Sequence, residues 1–208
     1  MSSDKKKIIL ESTLELVKEH GFHGFPMSEV AKRGGIAVGT IYHHFEGKEE
    51  LIRELFEYVV DMIYQTAKAG DDPNKPFKLR YFSLWDNLLH LYSNKPSILR
   101  FFELYNNSSY YSPEAHTDNN KFFKWLFEFF GEGLAAGSLR PITKEMLAII
   151  VLGNILTSAK VTINHSFKFN NKKMDLSQMA GIVWDGIKSI DTEVLPIKKQ
   201  RNKELKDI

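Results

Sequence analysis

The sequence predicts an all-α protein: a head of three short helices followed by a larger helical bundle, about nine helices in all. Three observations carry this expectation. Apolar residues recur at spacings of three and four, as in Leu51, Leu55, Tyr58, Val59, Met62 and Ile63, which is the period of a helix with one buried face. Glycine, proline and asparagine gather in short breaks between such runs, at Gly70 to Asn74, Asn94 to Pro96 and Gly137 to Pro141, where helices end. No stretch alternates apolar and polar residues over a useful length, so the pattern offers no strand. With 208 residues and 43% hydrophobic content, the chain can bury a substantial core. The natural division is a head over residues 1–50, a body over 51–191 and a basic tail over 192–208.

The first helix, from about Lys5 to His20, carries Ile9, Leu10, Thr13, Leu14, Leu16 and Val17 on one stripe and stops at Gly21. A short second helix places Val30 and Ala31 inward, and Ala31 is small where another helix crosses closely. Phe25-Pro26 stands before it, so no hydroxyl caps it. A proline in its first turn compensates, because its φ is preset and its missing N–H would be unpaired anyway. Gly34-Gly35 cannot sustain a helix, and a glycine there can adopt the positive φ that a tight interhelical turn demands. Ile36 then plugs the corner, while Ile41 and Phe45 face inward from a third helix over Val38 to His44. Gly39, Thr40, Tyr42 and His43 remain on or near the surface. Residues 27–46 therefore have the form of a helix-turn-helix, whose second helix the DNA major groove admits.

The string Gly39-Thr40-Ile41-Tyr42-His43-His44-Phe45-Glu46-Gly47-Lys48-Glu49-Glu50-Leu51, preceded by Gly21-Phe22, Met27 and Val30-Ala31, resembles the signature of TetR-type transcriptional repressors. The resemblance covers about the first quarter of the chain. Three positions depart from it. Phe25 replaces the usual threonine cap of the first motif helix, Ala37 replaces a common serine at the start of the recognition helix, and Val38 stands where relatives often have a polar residue. Backbone N–H groups would then meet a phosphate at that end, and Val38 can pack on a thymine methyl. The DNA-contacting residues expected on this basis are Ala37, Val38, Gly39, Thr40, Tyr42, His43 and Lys48, and the expected partner is a double-stranded operator.

Charge is arranged sparingly for such a task. The net charge is +2, and residues 1–47 hold six basic and six acidic side chains, so bulk charge does not attract nucleic acid. Local clusters must supply the phosphate contacts: Lys5, Lys6 and Lys7, the Lys32-Arg33 pair, and Lys48. A moderate salt dependence of binding follows.

Past the head, a long helix over 48–69 leads to five more, near 76–93, 96–107, 113–136, 143–167 and 175–190. Sixteen of the chain's 26 aromatic residues lie between Phe77 and Phe130. The resemblance implies an effector pocket in this region. Phe82, Trp85, Leu89, Phe101, Phe102, Tyr105, Phe122, Trp125 and Phe129 are its candidate lining, suited to a small lipophilic or aromatic effector held by a few polar handles. Glu103 and Glu128 could add attraction for a cationic ligand. The competing reading is a solid aromatic core, as in an architectural DNA binder or a regulator driven by a protein partner.

The last two helices carry Leu147, Ile150, Val151 and Ile155 on one stripe and Met179, Ile182, Val183, Gly186 and Ile187 on another, with Gly153, Ala159, Ala180 and Gly181 permitting close approach. Such a pair can build a four-helix interface with a symmetry mate. The resemblance implies homodimerisation there, and packing within one subunit is the alternative.

Other classes find little support. Cysteine is absent, which removes disulfides, thiol nucleophiles and cysteine-based zinc sites. His43-His44 offers no metal site, because adjacent helical residues point about 100° apart, and His90, His116 and His165 are isolated. No phosphate loop or nucleophile elbow is present, so neither cofactor, metal nor catalysis is expected. No apolar run approaches about 18 consecutive residues, and a cytoplasmic protein without a membrane partner is expected.

Overall fold

The computed structural model describes residues 2–111, 120–164 and 176–190. Among the described residues the head comprises α1 (Ser2–His20), α2 (Met27–Gly34) and α3 (Val38–His44), and α4 (Lys48–Lys68) leads out of it. The body adds α5 (Phe77–Asn94), α6 (Pro96–Tyr105), α7 (Lys121–Ala135), α8 (Lys144–Asn164) and α9 (Ser177–Ile187). The expected stretches 113–119 and 165–167, His116, His165 and the tail 192–208 lie outside the described residues.

Helix ends follow local hydrogen bonding. α1 starts earlier than its apolar stripe, and Asp4 in its first turn suits the helix dipole. α6 stops short of 107 because the Asn107 and Ser108 amides donate to Leu104 and Tyr105 carbonyls at 3.2 and 3.0 Å in a tighter turn. α9 stops at Ile187, short of 190. The next residues pair with the α7–α8 connection instead: Arg140 N–H donates to the Ile187 carbonyl and Ser189 N–H to the Ser138 carbonyl, both at 2.9 Å.

One continuous apolar core runs through head and body, with Tyr81, Trp85, Phe101, Phe129 and Phe130 among its largest fully buried members. A buried charge braces the far end of the body. Arg80 donates from Nε and Nη2 to Asp71 at 2.7 and 3.0 Å and from Nη1 to Glu132 at 2.6 Å, with its guanidinium 5.1 Å over the Phe129 ring. The fork satisfies both carboxylates, the condition under which a buried cation is tolerated.

Residues 144–163 of α8 form a helix long and apolar enough, by length and composition, to cross a membrane. Its apolar residues divide between two faces. Leu147, Ala148, Val151, Ile155 and Ala159 are buried in the subunit, while Met146, Ile149 and Ile150 are exposed. Its polar residues bind neighbouring helices: Asn154 accepts from Trp85 Nε1 at 3.1 Å, and Lys160 pairs with Glu103 at 2.6 Å.

Head and body meet through α1. Glu11 accepts hydrogen bonds from the Tyr58 hydroxyl of α4 and from Lys95, at the start of α6, at 2.8 and 2.7 Å. Phe22, just after α1, packs edge-on against Phe101 of α6 at 5.6 Å between ring centroids.

Candidate nucleic-acid interface and effector cavity

The turn between α2 and α3 is set by Gly35, whose φ of 61° is left-handed. Ile36 N–H donates to the Ala31 carbonyl at 3.0 Å and Gly35 N–H to the Lys32 carbonyl at 3.3 Å, the two bonds of a Schellman ending. This ending fixes the direction in which the chain enters α3. Ile41 and Phe45 are buried at 0% and 1% exposure and anchor α3 to the head. The opposite face is open: Val38 and Tyr42 are 39% and 56% exposed, and Ala37, Gly39 and His43 are exposed with Thr40 half-buried beside them. Pro26 is the cap residue of α2, one place earlier than the first-turn position expected for it, and neither Pro26 nor Ala37 supplies a side-chain cap.

The basic residues of the head are more engaged than the sequence suggests. Arg33 grips Glu19 with both terminal nitrogens, at 2.7 and 2.5 Å, and holds the Glu19 carboxyl below the usual carboxylate range. Lys6 pairs with Glu54 at 2.9 Å. Lys48 donates to the Phe25 carbonyl at 2.5 Å and lies 4.0 Å over the Phe25 ring, where burial lowers its pKa. Lys48 thus ties the first turn of α4 to the entry of α2. Lys5, Lys7 and Lys32 are exposed.

In the body, a cavity of about 300 Å³ opens between α4, α6, α7 and α8, bordered by Val60, Ile63, Leu99, Phe102, Phe122 and Leu156, with Glu103 and Lys160 among its polar residues. Of the aromatic candidates, Phe102 and Phe122 border it. The others lie elsewhere. Trp85 is buried against Asn154, and Phe82 packs near Trp184. Leu89 borders a separate groove with His90. Phe101 and Tyr105 face Phe22 of the head, Trp125 meets Tyr64, and Phe129 packs at a tilt against Phe77. Glu128 is exposed, and Glu103 is neutralised by Lys160, with Arg100 at 3.4 Å, which keeps its carboxyl pKa low. Aliphatic lining from Val60, Ile63 and Leu156 was not expected. Their helical spacing marks a buried face, and nothing in it distinguishes a wall from a packed core.

Residues 9–55 match the profile of bacterial regulatory proteins of the tetR family, and residues 76–188, more than half of the chain, match that of the tetracyclin repressor-like C-terminal domain. The chain belongs to the TetR family. An uncharacterised HTH-type transcriptional regulator of Bacillus subtilis is 38% identical over 77 residues, 37% of this chain and 40% of that protein. One from Haemophilus influenzae is 31% identical over 86 residues, 41% of this chain and 46% of the relative. The chain therefore aligns with less than half the length of these two relatives. A TetR family transcription regulator from Marinobacter aquaeolei shares the fold at a TM-score of 0.79 and 22% identity, covering 90% of this chain and 97% of that one.

The two matched regions of this TetR-family chain follow its architecture: the first runs from α1 into α4 and the second from α5 to the end of α9. On the second, the expected interface residues fall on two faces. Leu147, Val151, Ile155 and Ile187 are buried within the subunit, and Met179 and Val183 are half-buried. Ile150, Ile182 and Gly186 are exposed, together with Met146, Ile149 and Gly153. The outward face of α8 and α9 thus combines large apolar residues with glycines.

Proposed function

We propose that this chain is a homodimeric, ligand-responsive DNA-binding regulator, a repressor that leaves a near-palindromic operator when a largely apolar effector enters the body. The observation that carries the reading is α3 itself. A helix anchored by Ile41 and Phe45 presents Val38, Gly39, Thr40, Tyr42 and His43 on its free side, the arrangement a recognition helix needs. Thr40, Tyr42 and His43 contact bases or phosphates, and the uncapped start of α3 at Ala37 offers backbone N–H groups to a phosphate. Lys48 contributes by orienting α4 under the motif as well as by its charge.

The outward face of α8 and α9 supports dimerisation. Ile149 at 72% and Ile182 at 64% exposure are large apolar side chains on adjoining helices, and Gly153, with open space where a β-carbon would stand, allows a second helix to come close. The 300 Å³ cavity favours a small-molecule effector over an architectural role, since a solid core would leave no room for one. Acting on DNA places the protein in the cytoplasm.

The direct test is Tyr42→Ala, measured by operator binding and by sedimentation. Loss of about 1–3 kcal/mol of operator affinity is expected with the oligomeric state unchanged, and unaltered DNA binding would remove α3 as the reading element.

A further inference from the structure

The cavity has a charged doorway. Leu99, Glu103 and Lys160 border both the cavity and a second groove of about 270 Å³, whose remaining lining is Lys18, Pro96, Arg100 and Ile163. The cavity's lining is mainly apolar, with Tyr92, Asn106 and Asn120 as polar members beside Glu103 and Lys160. The groove brings together Lys18 of α1, Arg100 of α6 and Lys160 of α8, against a single lining carboxylate, Glu103. Glu103 is already held by Lys160 at 2.6 Å and Arg100 at 3.4 Å, and Lys18 has Glu15 at 3.3 Å. Glu103 and Lys160 are 43% and 49% exposed, so both can exchange partners without leaving a buried charge unpaired.

We infer that the effector is an amphipathic anion: its hydrocarbon part fills the cavity and its anionic head lies in the groove between Lys18, Arg100 and Lys160. The inference rests on the cavity being the effector site. The charge balance decides its sign. Glu103 alone would favour a cation, but a cationic head in this groove would face three side chains of its own charge. An anion gains their attraction, and Lys160 can turn to it while Arg100 retains Glu103. The head also reaches α1, so one bound molecule would touch the DNA-binding head, α6 and α8 at once.

The test compares decanoate, decanol and decyltrimethylammonium, each below its aggregation concentration, by calorimetric titration of the full chain. The expected order is decanoate tightest and the ammonium weakest. Lys160→Gln should weaken decanoate by about two- to fivefold, the scale of an exposed ion pair, and leave decanol unchanged. Decanol or the ammonium binding as tightly as decanoate would overturn the anionic class while keeping the cavity as an effector site. Inorganic phosphate displacing decanoate by itself would show an anion site independent of the cavity and would overturn the inference. Failure of all three amphiphiles to bind would remove the cavity reading together with it.

Discussion

A β-carbon on Gly133 would lie 2.5 Å from Cζ of Phe77 and 2.7 Å from Cδ1 of Leu139. Neither neighbour can yield freely. Phe77 is buried and packs at 4.8 Å between centroids on Phe129, and Leu139 sits at 3% exposure in the connection that meets the end of α9. Overpacking by Gly133→Ala should cost about 1–3 kcal/mol, only partly offset by about 1 kcal/mol of helix propensity, so the variant should be destabilised by up to about 2 kcal/mol. Urea unfolding measures it, and a stabilised variant would contradict the packing described. Nothing local announces this glycine, because its constraint comes from residues on two other elements. Gly35 is the opposite case: the Gly34-Gly35 pair between two apolar-patterned helices was readable as a left-handed turn. So were Ile41 and Phe45 as anchors. Lys48 was expected to meet DNA, but its bond to the Phe25 carbonyl spans 23 positions and follows only from how the first turn of α4 meets the chain entering α2.

Among the elements, α6 and α8 each present two working faces. α6 turns Leu99, Phe102 and Glu103 to the cavity and Phe101 and Tyr105 toward Phe22 of the head. α8 buries Leu147, Val151 and Ile155 inside the subunit and exposes Met146, Ile149 and Ile150. A helix apolar nearly all round gives a weak periodic signal, so its sequence reveals a helix with apolar partners without saying which partner each stripe meets. The same limit applies to the aromatic stretch, where a void depends on how facing helices meet and side-chain spacing is silent about it. The two faces of α8 predict opposite failures. Ile149→Glu should convert the proposed dimer to a folded monomer in sedimentation, with operator affinity falling alongside and the unfolding midpoint dropping only by what association contributed. Ile155→Asp puts a charge where exposure is 0% and should cost more than about 4 kcal/mol of folding stability. A monomeric, fully folded Ile155→Asp variant, or a dimeric Ile149→Glu variant, would reassign the faces.

At the scale of the whole molecule, a ligand in the body can release DNA only if it binds the two head orientations with different affinity. The route available is short. α6 borders the cavity, packs on the head through Phe101 and Tyr105, and begins beside Lys95, whose ammonium holds Glu11 of α1 at 2.8 and 2.7 Å. Glu11 also accepts from Tyr58 of α4, so one carboxylate joins head, α4 and α6. Lys95 is absent from the cavity lining, which allows coupling and binding to be separated. Lys95→Gln should leave amphiphile affinity of the DNA-free protein within about twofold and reduce the effector-induced loss of operator affinity by about two- to fivefold, within the usual range of such couplings. Because the coupling is reciprocal, the same variant must shrink by an equal factor the weakening of amphiphile binding caused by operator DNA. Measuring both titrations closes the cycle. An unchanged coupling factor in Lys95→Gln would exclude the Glu11 junction as the path and leave the direct contact of α6 with Phe22 to carry the signal.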